Sequence, residues 1–145
     1  VQLTIAQDLD VTGAVVVSTP QDVALADVIR AAAMFARVDI PILGVIENMS
    51  YFLCDGCGKR HELFGSGGAQ RVAADNQLNF LGSLPLEPAL RTTGDAGTPL
   101  VAAEPDSEVA QTFASLAEQV AGKVSILAHD KAEAEAAAST DEPAH

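Results

Sequence analysis

Short apolar runs alternate with stretches of helical periodicity along the first third of the chain. The run "GAVVVSTP", residues 13–20, is rich in valine and stops at Ser-Thr-Pro, which predicts a buried strand and its exit loop. From about Gln21 to Val38 the apolar residues recur at helical spacing and predict a helix. A second apolar run, from Ile42 to about Asn48, predicts another buried strand. The apolar stripe of the predicted helix consists of Val23, Ala26, Ile29 and Ala33.

This order of strand, helix and strand is a βαβ unit, so the pattern predicts an α/β fold with a partial parallel sheet and flanking helices. The second half of the chain continues the alternation. The segment "GSGGAQRVAADN" is a glycine-rich entry into a short helix that ends near Asn76. A third strand is expected from about Phe80 to Leu84, and a loop full of turn residues follows it.

The last predicted element is an amphipathic helix. Asp106 or Ser107 can cap its start, and Gly122 is expected to end it. Beyond Leu127 the chain becomes an acidic tail, rich in Ala and Glu, that we expect to be disordered or at most a frayed helix. The core is therefore predicted to be residues 1–127, and the tail residues 128–145. The apolar stripe of the helix is Val109, Phe113, Leu116 and Val120.

Composition narrows the classes of partner. The 145 residues have a formal net charge of -12, and the tail contains five acidic side chains against one lysine. Such a surface repels phosphate backbones and anionic lipids, so we expect neither nucleic-acid nor membrane binding. No apolar run approaches the ~18 residues that would span a bilayer. We expect a cytoplasmic chain.

The first residues read as the middle of a domain. The segment "VQLTIAQDLDVTGAVVV" has no initiator Met, no basic region and no small-residue cleavage pattern, so it is not a secretory signal. We expect the chain to be the C-terminal part of a longer protein.

Cys54 and Cys57, separated by Asp55 and Gly56, are the only cysteines. Two such thiols can bind one metal, but a structural zinc site wants four protein ligands, and only His61 lies nearby in sequence. A twofold dimer would supply four thiolates, which suit zinc or an iron–sulfur cluster equally. A thioredoxin-like redox pair is disfavoured because glycines follow each cysteine and oppose a helix there. Two cysteines without a role are the remaining alternative.

A phosphate-binding loop is not found in these residues. The two Gly-Lys pairs, at 58–59 and 122–123, are followed by Arg60 and Val124 instead of Ser or Thr, and neither has the upstream glycine. The "GSGG" segment has no lysine. We therefore expect no ATPase activity from these 145 residues alone, which an assay of magnesium-dependent phosphate release would check.

Three segments together resemble one known family. The stretches "TGAVVVSTPQDVALADV", "GVIENMSYFLCDGCGKRHELFGSGGAQRVA" and "LGSLPLEPALRTTGDAGTPLV" look like successive motifs of the Mrp/ApbC iron–sulfur cluster carriers, which are P-loop ATPases related to MinD. The similarity extends over about residues 1–122, and "ENMSYFxCxxCG" is its most specific motif. The start, "VQLTIAQ", resembles the sequence that follows the switch loop in the family. The resemblance implies the C-terminal half of a MinD-like P-loop NTPase domain, with the phosphate loop lying upstream.

The resemblance also implies roles for particular residues. Cys54 and Cys57 match the cysteine pair thought to hold a [4Fe–4S] cluster between two subunits, for delivery to apo iron–sulfur proteins. Asn48 matches an asparagine that recognises adenine, and its amide can both donate and accept hydrogen bonds. The "LPLEP" segment matches the loop that flanks the base. It implies that Leu84, Pro85 and Leu86 bind the nucleotide, with ATP and magnesium as cofactors of the full-length protein. Glu87 departs from the aspartate that is commonest at its position.

Several alternatives stay open at this point. The chain is expected to be a homodimeric iron–sulfur carrier, but a zinc-stabilised dimerisation module or a fragment of a MinD-like regulatory ATPase would show the same motifs. His61 is a third ligand or a solvated loop residue, and the solvated role is favoured. Lys59 and Arg60 neutralise an anionic cluster, steer a partner or form a solvated basic pair. Asn48 is an adenine ligand or a turn former at the end of a strand.

Overall fold

A computed structural model describes Thr4 and residues 9–140, and at Glu135 and residues 138–140 it describes the backbone only. Most of "VQLTIAQ" and the last five residues of the predicted tail lie outside the described residues. In chain order, the elements are β1 (Ala14–Ser18), α1 (Asp22–Ala36), β2 (Ile42–Glu47), β3 (Phe52–Leu53), β4 (Arg60–His61), α2 (Gly68–Asp75), β5 (Phe80–Ser83), α3 (Pro88–Asp95), α4 (Leu100–Ala103) and α5 (Glu108–Thr140).

The main sheet contains the three strands that the apolar runs predict. Its order is β1-β2-β5, and both pairings are parallel, with Val16 beside Val45 and Val45 beside Phe80. The predicted α/β class with a parallel sheet is therefore confirmed. A separate antiparallel hairpin, formed by β3 and β4, leaves the sheet between β2 and α2.

Helices cover both faces of the sheet, because successive side chains of a strand point to opposite faces. On one face, Val45 packs with side chains of α1 and α2; the buried members of this cluster are Leu25, Val28, Val45, Ala69 and Ala73. On the other face, Leu116 of α5 packs against Leu81 and Leu84, with Phe113 and Val120 partly buried around them. The three-layer arrangement leaves the carboxyl ends of β1, β2 and β5 at one edge of the sheet.

The side of α1 that packs against the sheet is not the one marked by the predicted apolar stripe. Its four members are exposed, and Val23 is 81% exposed. The side chains of α1 that reach the core are Leu25 and Val28. Helix α1 is apolar on more than one side, so periodicity alone does not identify the side that meets the sheet. The exposed Ile29 and Ala33 instead line an apolar groove of about 770 Å³ beside the start of β2.

The loop predicted after β5 contains two short helices. Helix α3 begins with Pro88, and the Glu87 carboxylate caps it by accepting a hydrogen bond from the backbone N–H of Ala89 at 3.0 Å. Helix α4 follows after Pro99. Proline and acidic residues are typical both of turns and of helix starts, which is why the pattern suggested a loop. Glu87 performs a capping role that an aspartate also performs.

The final helix begins as predicted and extends further than predicted. Ser107 caps it, since its Oγ accepts a hydrogen bond from the Ala110 N–H at 3.2 Å. The expected end at Gly122 is wrong, because α5 continues to Thr140. A glycine inside a helix costs only about 1 kcal/mol relative to alanine, and the Ala- and Glu-rich sequence beyond it favours helix. Residues 128–140, expected to be disordered or at most a frayed helix, are helical in the described structure.

No helix in the described part of the chain has both the length and the apolar character needed to cross a membrane.

The start of α2 packs very closely against the loop after β1. A Cβ atom on Gly68 would lie 2.7 Å from the carbonyl oxygen of Pro20 and 2.7 Å from Cδ1 of Leu25. We expect Gly68→Ala to lower the free energy of unfolding by about 1–3 kcal/mol, since backbone must move to admit the methyl group. Urea unfolding measures the difference.

Gly94→Ala is the matched control for this substitution. Gly94 lies inside α3, and a Cβ atom there would have no neighbour within 4 Å. It should raise stability by up to about 1 kcal/mol through helix propensity. A Gly68→Ala protein as stable as the wild type would contradict the close packing.

Candidate functional site

The two cysteines lie at the tip of the β3–β4 hairpin. Cys54 directly follows β3, and its backbone N–H donates to the carbonyl of Lys59 at 3.0 Å. The Gly58 N–H donates back to the carbonyl of Cys54 at 2.7 Å, and Gly58 has the positive φ of 68° that such a tight turn requires. Cys54 is partly buried and Cys57 is exposed, and both are free thiols. The turn therefore holds two free thiols, of which Cys57 is the more accessible.

The backbone of this turn favours a thiolate at Cys54. Its sulfur accepts hydrogen bonds from the backbone N–H groups of Gly56 and Cys57 and from the Cys57 side chain. These bonds hold the pKa of the Cys54 thiol below its ordinary value, although partial burial and the Asp55 carboxylate act in the opposite direction. Because the thiolate is the form that binds metals, the turn prepares Cys54 for this role.

The hairpin does not bring a third ligand to the cysteines. Among the described residues, the only group of three His, Cys, Asp or Glu side chains close enough to share an ion is His129, Asp130 and Glu133, all exposed on α5. His61 is exposed on β4, opposite Phe52. In the structure it forms no such group with the two cysteines. The described residues of one chain thus supply two sulfurs and no third side chain that could share an ion with them.

Two basic residues flank the cysteine turn on the β4 side. The Arg60 guanidinium lies over the Tyr51 ring, 3.9 Å from its centroid, and its Nε is 3.8 Å from a carboxylate oxygen of Glu62. These contacts hold Arg60 across the base of the hairpin. Lys59 is exposed at the turn itself. Two positive charges therefore lie within three residues of Cys57 in the sequence of an otherwise acidic chain.

A buried carboxylate, which sequence reasoning missed, anchors this region. Glu47 ends β2 and is 0% exposed. Its Oε1 accepts hydrogen bonds from Ser50 Oγ at 2.6 Å and from the Gly67 N–H at 2.9 Å. Its Oε2 accepts one from the Ala69 N–H at 2.8 Å. Glu47 therefore joins the base of the hairpin to the first turn of α2.

Two signals in the sequence could have identified Glu47. It is an acidic residue at the end of an otherwise apolar strand, where burial requires a partner. The "GSGG" helix start has a glycine, Gly67, as its N-cap, so no side chain of its own satisfies the free N–H groups of α2. A carboxylate from elsewhere in the chain was the missing acceptor.

The residues predicted to bind adenine lie together just beyond β2 and β5. The backbone pairing continues past both strands. The Leu84 N–H donates to the backbone carbonyl of Glu47 at 2.8 Å, and the Leu86 N–H donates to that of Tyr51 at 2.6 Å. Leu84 and Pro85 are buried and Leu86 is partly buried. This pairing fixes the "LPL" segment beside the base of the hairpin.

Asn48 and Leu84 line one apolar cavity of about 600 Å³ between the sheet and α5. Pro85 and Leu86 are not among its lining residues. Asn48 Oδ1 accepts a hydrogen bond from the Met49 N–H at 2.9 Å, and Met49 has a positive φ of 56°. The structure thus brings Asn48 and Leu84 to the same cavity at the carboxyl edge of the sheet, where open α/β sheets bind ligands.

Comparison with known proteins identifies relatives over most of the chain. Residues 1–121 match the family described as NUBPL iron-transfer P-loop NTPase. The chain is 43% identical over 129 residues to the "Iron-sulfur cluster transfer protein NUBPL" of Dictyostelium discoideum. This alignment covers 89% of this chain and 40% of that protein. It is 51% identical over 117 residues to the "Iron-sulfur cluster carrier protein" of Aquifex aeolicus, which covers 81% of this chain and 32% of that protein.

A solved structure shows the same fold. The septum site-determining protein MinD from Pyrococcus horikoshii, complexed with Mg-ADP, matches with a TM-score of 0.60 and 28% identity, over 75% of this chain and 41% of that chain. The chain spans about a third to two-fifths of the length of the curated relatives it matches.

The lowered pKa of Cys54 predicts how its reactivity depends on pH. Iodoacetamide alkylates the thiolate, and a lowered pKa means that Cys54 is already deprotonated at a lower pH. The rate of its alkylation should therefore reach half of its maximum at a lower pH in the folded chain than in urea. Fragment mass spectrometry separates the two cysteines. Cys57→Ser should retain most of the difference, since it keeps both backbone donors. Equal midpoints in the folded and unfolded chain would contradict the prediction.

Proposed function

The chain belongs to the NUBPL iron-transfer P-loop NTPase family, which confirms the resemblance to the iron–sulfur carriers. On this premise we propose that it binds a [4Fe–4S] cluster through Cys54 and Cys57 and transfers that cluster to apo iron–sulfur proteins. The observation that supports this most is the hairpin tip, which presents two thiols and no third protein ligand from the described residues.

The shortage of ligands leads to a dimer. A [4Fe–4S] cluster is ordinarily held by four cysteine thiolates, and one chain supplies two. Two chains related by a twofold axis through the cluster would supply four, with the same hairpin contributing from each side. The exposure of the hairpin tip supports this arrangement, because no described element of the chain lies over Cys57.

The chemistry of the hairpin suits an anionic cluster. The cluster bound by four thiolates is negatively charged. The turn offers backbone N–H groups to the Cys54 sulfur, and the basic residues Lys59 and Arg60 follow the turn in sequence. Hydrogen bonds to the sulfurs and local charge are among the features by which proteins adjust such clusters. The free thiols also call for a reducing compartment, and we propose the cytoplasm.

Transfer to another protein requires a cluster that is held loosely and can be reached. A site with two ligands per chain, at the tip of a hairpin whose strands have two residues each, meets both requirements. A structural metal site, in contrast, is ordinarily closed by four ligands from one chain. The geometry therefore favours the carrier over a zinc-stabilised dimerisation module, although the four thiolates themselves would accept zinc.

The nucleotide belongs to the proposal for the longer protein. We propose that Asn48 contacts adenine and that Leu84, Pro85 and Leu86 form the wall beside the base, with ATP and magnesium bound by phosphate-binding residues outside these 145. The shared cavity of Asn48 and Leu84 supports the placement. Asn48 Oδ1 can accept a second hydrogen bond besides that from Met49, and its amide group can donate one.

Anaerobic reconstitution with iron and sulfide tests the cluster. We expect brown protein that contains four irons per dimer, with a broad visible band that is lost in Cys54→Ser and in Cys57→Ser because each removes two of four ligands per dimer. Native mass spectrometry should find the complete cluster on two chains. His61→Ala is the control and should keep the band.

Three results would contradict this proposal. A complete cluster on a single chain would overturn the shared site. Colourless protein that holds zinc tightly after anaerobic preparation would favour the dimerisation module. Normal function of the double Cys→Ser protein would favour a regulatory ATPase with incidental cysteines.

Asn48→Asp tests the adenine contact in a protein that joins this chain to a phosphate-binding loop. Aspartate keeps the acceptor but loses the donor, so ATP affinity should fall by about tenfold, as expected for one hydrogen bond. Asn76→Asp, at the exposed end of α2, is the matched control. Calorimetry of ATP binding that shows equal affinities for wild type and Asn48→Asp would rule out the contact.

A further inference from the structure

We propose that Glu47 is a positioning residue that couples the cysteine hairpin to the loop after β1. It accepts hydrogen bonds from one residue at the base of the hairpin and from two backbone groups at the start of α2, and α2 in turn touches the loop. A movement at the carboxyl end of β1 would then change the position of the cysteine hairpin. This inference deepens the proposed carrier function and rests on that function for one of its readouts.

The hairpin arm of this connection is Ser50. Ser50 is 1% exposed, and its Oγ donates to Glu47 Oε1 at 2.6 Å. Its backbone N–H donates to the carbonyl of Leu84 at 3.0 Å, so the hydroxyl and the backbone N–H of Ser50 both have acceptors. Only three residues separate Ser50 from Cys54. The path from the buried carboxylate to the first proposed cluster ligand is therefore short and runs through an extended strand.

The helix arm consists of the N–H groups of Gly67 and Ala69. They donate to opposite oxygens of Glu47, at 2.9 and 2.8 Å. Free N–H groups at a helix start favour a negative charge, and here the charge comes from β2 instead of from the segment before the helix. The first turn of α2 is thus tied to the end of β2, and it cannot shift without moving Glu47 or breaking these bonds.

The contact with the β1 loop is made by Gly68, between these two donors. Its α-carbon lies so close to the carbonyl of Pro20 that a Cβ atom would be 2.7 Å from that oxygen. Pro20 follows β1 by two residues, at the edge of the sheet where Asn48 also lies. Because the contact leaves no spare room, a displacement of this loop toward α2 must be transmitted to α2.

Only an acidic side chain can serve both arms. Glu47 has three donors directed at its two oxygens, and a glutamine would turn one NH₂ group toward an N–H or a hydroxyl donor. Both oxygens of Glu47 have partners, and among the described residues no buried side-chain polar atom is left without one. The carboxylate connects the end of β2, the base of the hairpin and the start of α2 by hydrogen bonds.

Ser50→Ala tests this connection, because it cuts the hairpin arm and leaves the helix arm intact. In metal-free protein, amide exchange at position 50 and at Cys54 should quicken by about tenfold, while that of the core of α1 should not change. In reconstituted protein, iron release to a chelator should also quicken several-fold, because the hairpin that holds the cysteines loses its hydrogen bond to Glu47.

Ser18→Ala is the matched control. Ser18 is also a buried serine at the end of a strand, but its Oγ donates only to the neighbouring carbonyl of Thr19. Both readouts should stay at the wild-type value. If Ser50→Ala matches Ser18→Ala, or quickens exchange throughout α1 as a general loss of stability would, the proposal is overturned. Protein that never holds a cluster would refute the carrier function, while amide exchange would still decide this inference.

A measurement on the unchanged chain covers the case in which Ser50→Ala fails to fold. Zn²⁺ serves as the probe, since it binds thiolates without reconstitution. Loading the hairpin should slow exchange of the Gly67 and Ala69 amides several-fold. The Leu78 amide, bonded to Ala73 at the far end of α2, should not respond. Unchanged Gly67 and Ala69 amides in zinc-loaded protein would overturn the coupling.

Discussion

The structure around the candidate site depends on one buried carboxylate. An ionic group without exposure to water is tolerated only when its charge is met by donors, and Glu47 has three within 2.9 Å. Loss of the carboxylate would leave the donors of Ser50, Gly67 and Ala69 without their acceptor, and an unsatisfied buried donor costs free energy. The end of β2, the start of α2 and the base of the hairpin are therefore required to stay together.

The order of the strands explains why these segments meet. With β2 between β1 and β5, the residues that leave β2 emerge in the centre of the sheet edge, with a neighbour on each side. The Asn48 N–H donates to the backbone carbonyl of Ser18 on the β1 side at 2.7 Å. The Ser50 N–H donates to the backbone carbonyl of Leu84 on the β5 side. The hairpin is thus anchored from both directions before it projects into solvent. A site on an outer strand would have one such support.

Local patterns predicted the three strands, α2 and the start of α5, because each depends on a periodicity or a cap within a few residues. They failed where the outcome depends on what lies across the molecule. Leu25 and Val28 of α1 are buried, and not Val23 and Ile29, because only one side of that helix meets the sheet. The cysteines were visible as a motif. Glu47 was not, since two of its three donors lie 20 and 22 residues further along the chain.

The proposed carrier needs two properties that oppose each other, and the hairpin separates them in space. Glu47 and Ser50, at its base, are shielded from water, where hydrogen bonds are strong and the geometry is fixed. Cys54 is partly buried and Cys57 exposed, only a few residues away. Burial therefore decreases along the hairpin towards the sulfurs. A fixed base defines where a cluster is presented, and a solvent-facing tip lets an acceptor protein approach the thiolates and take it.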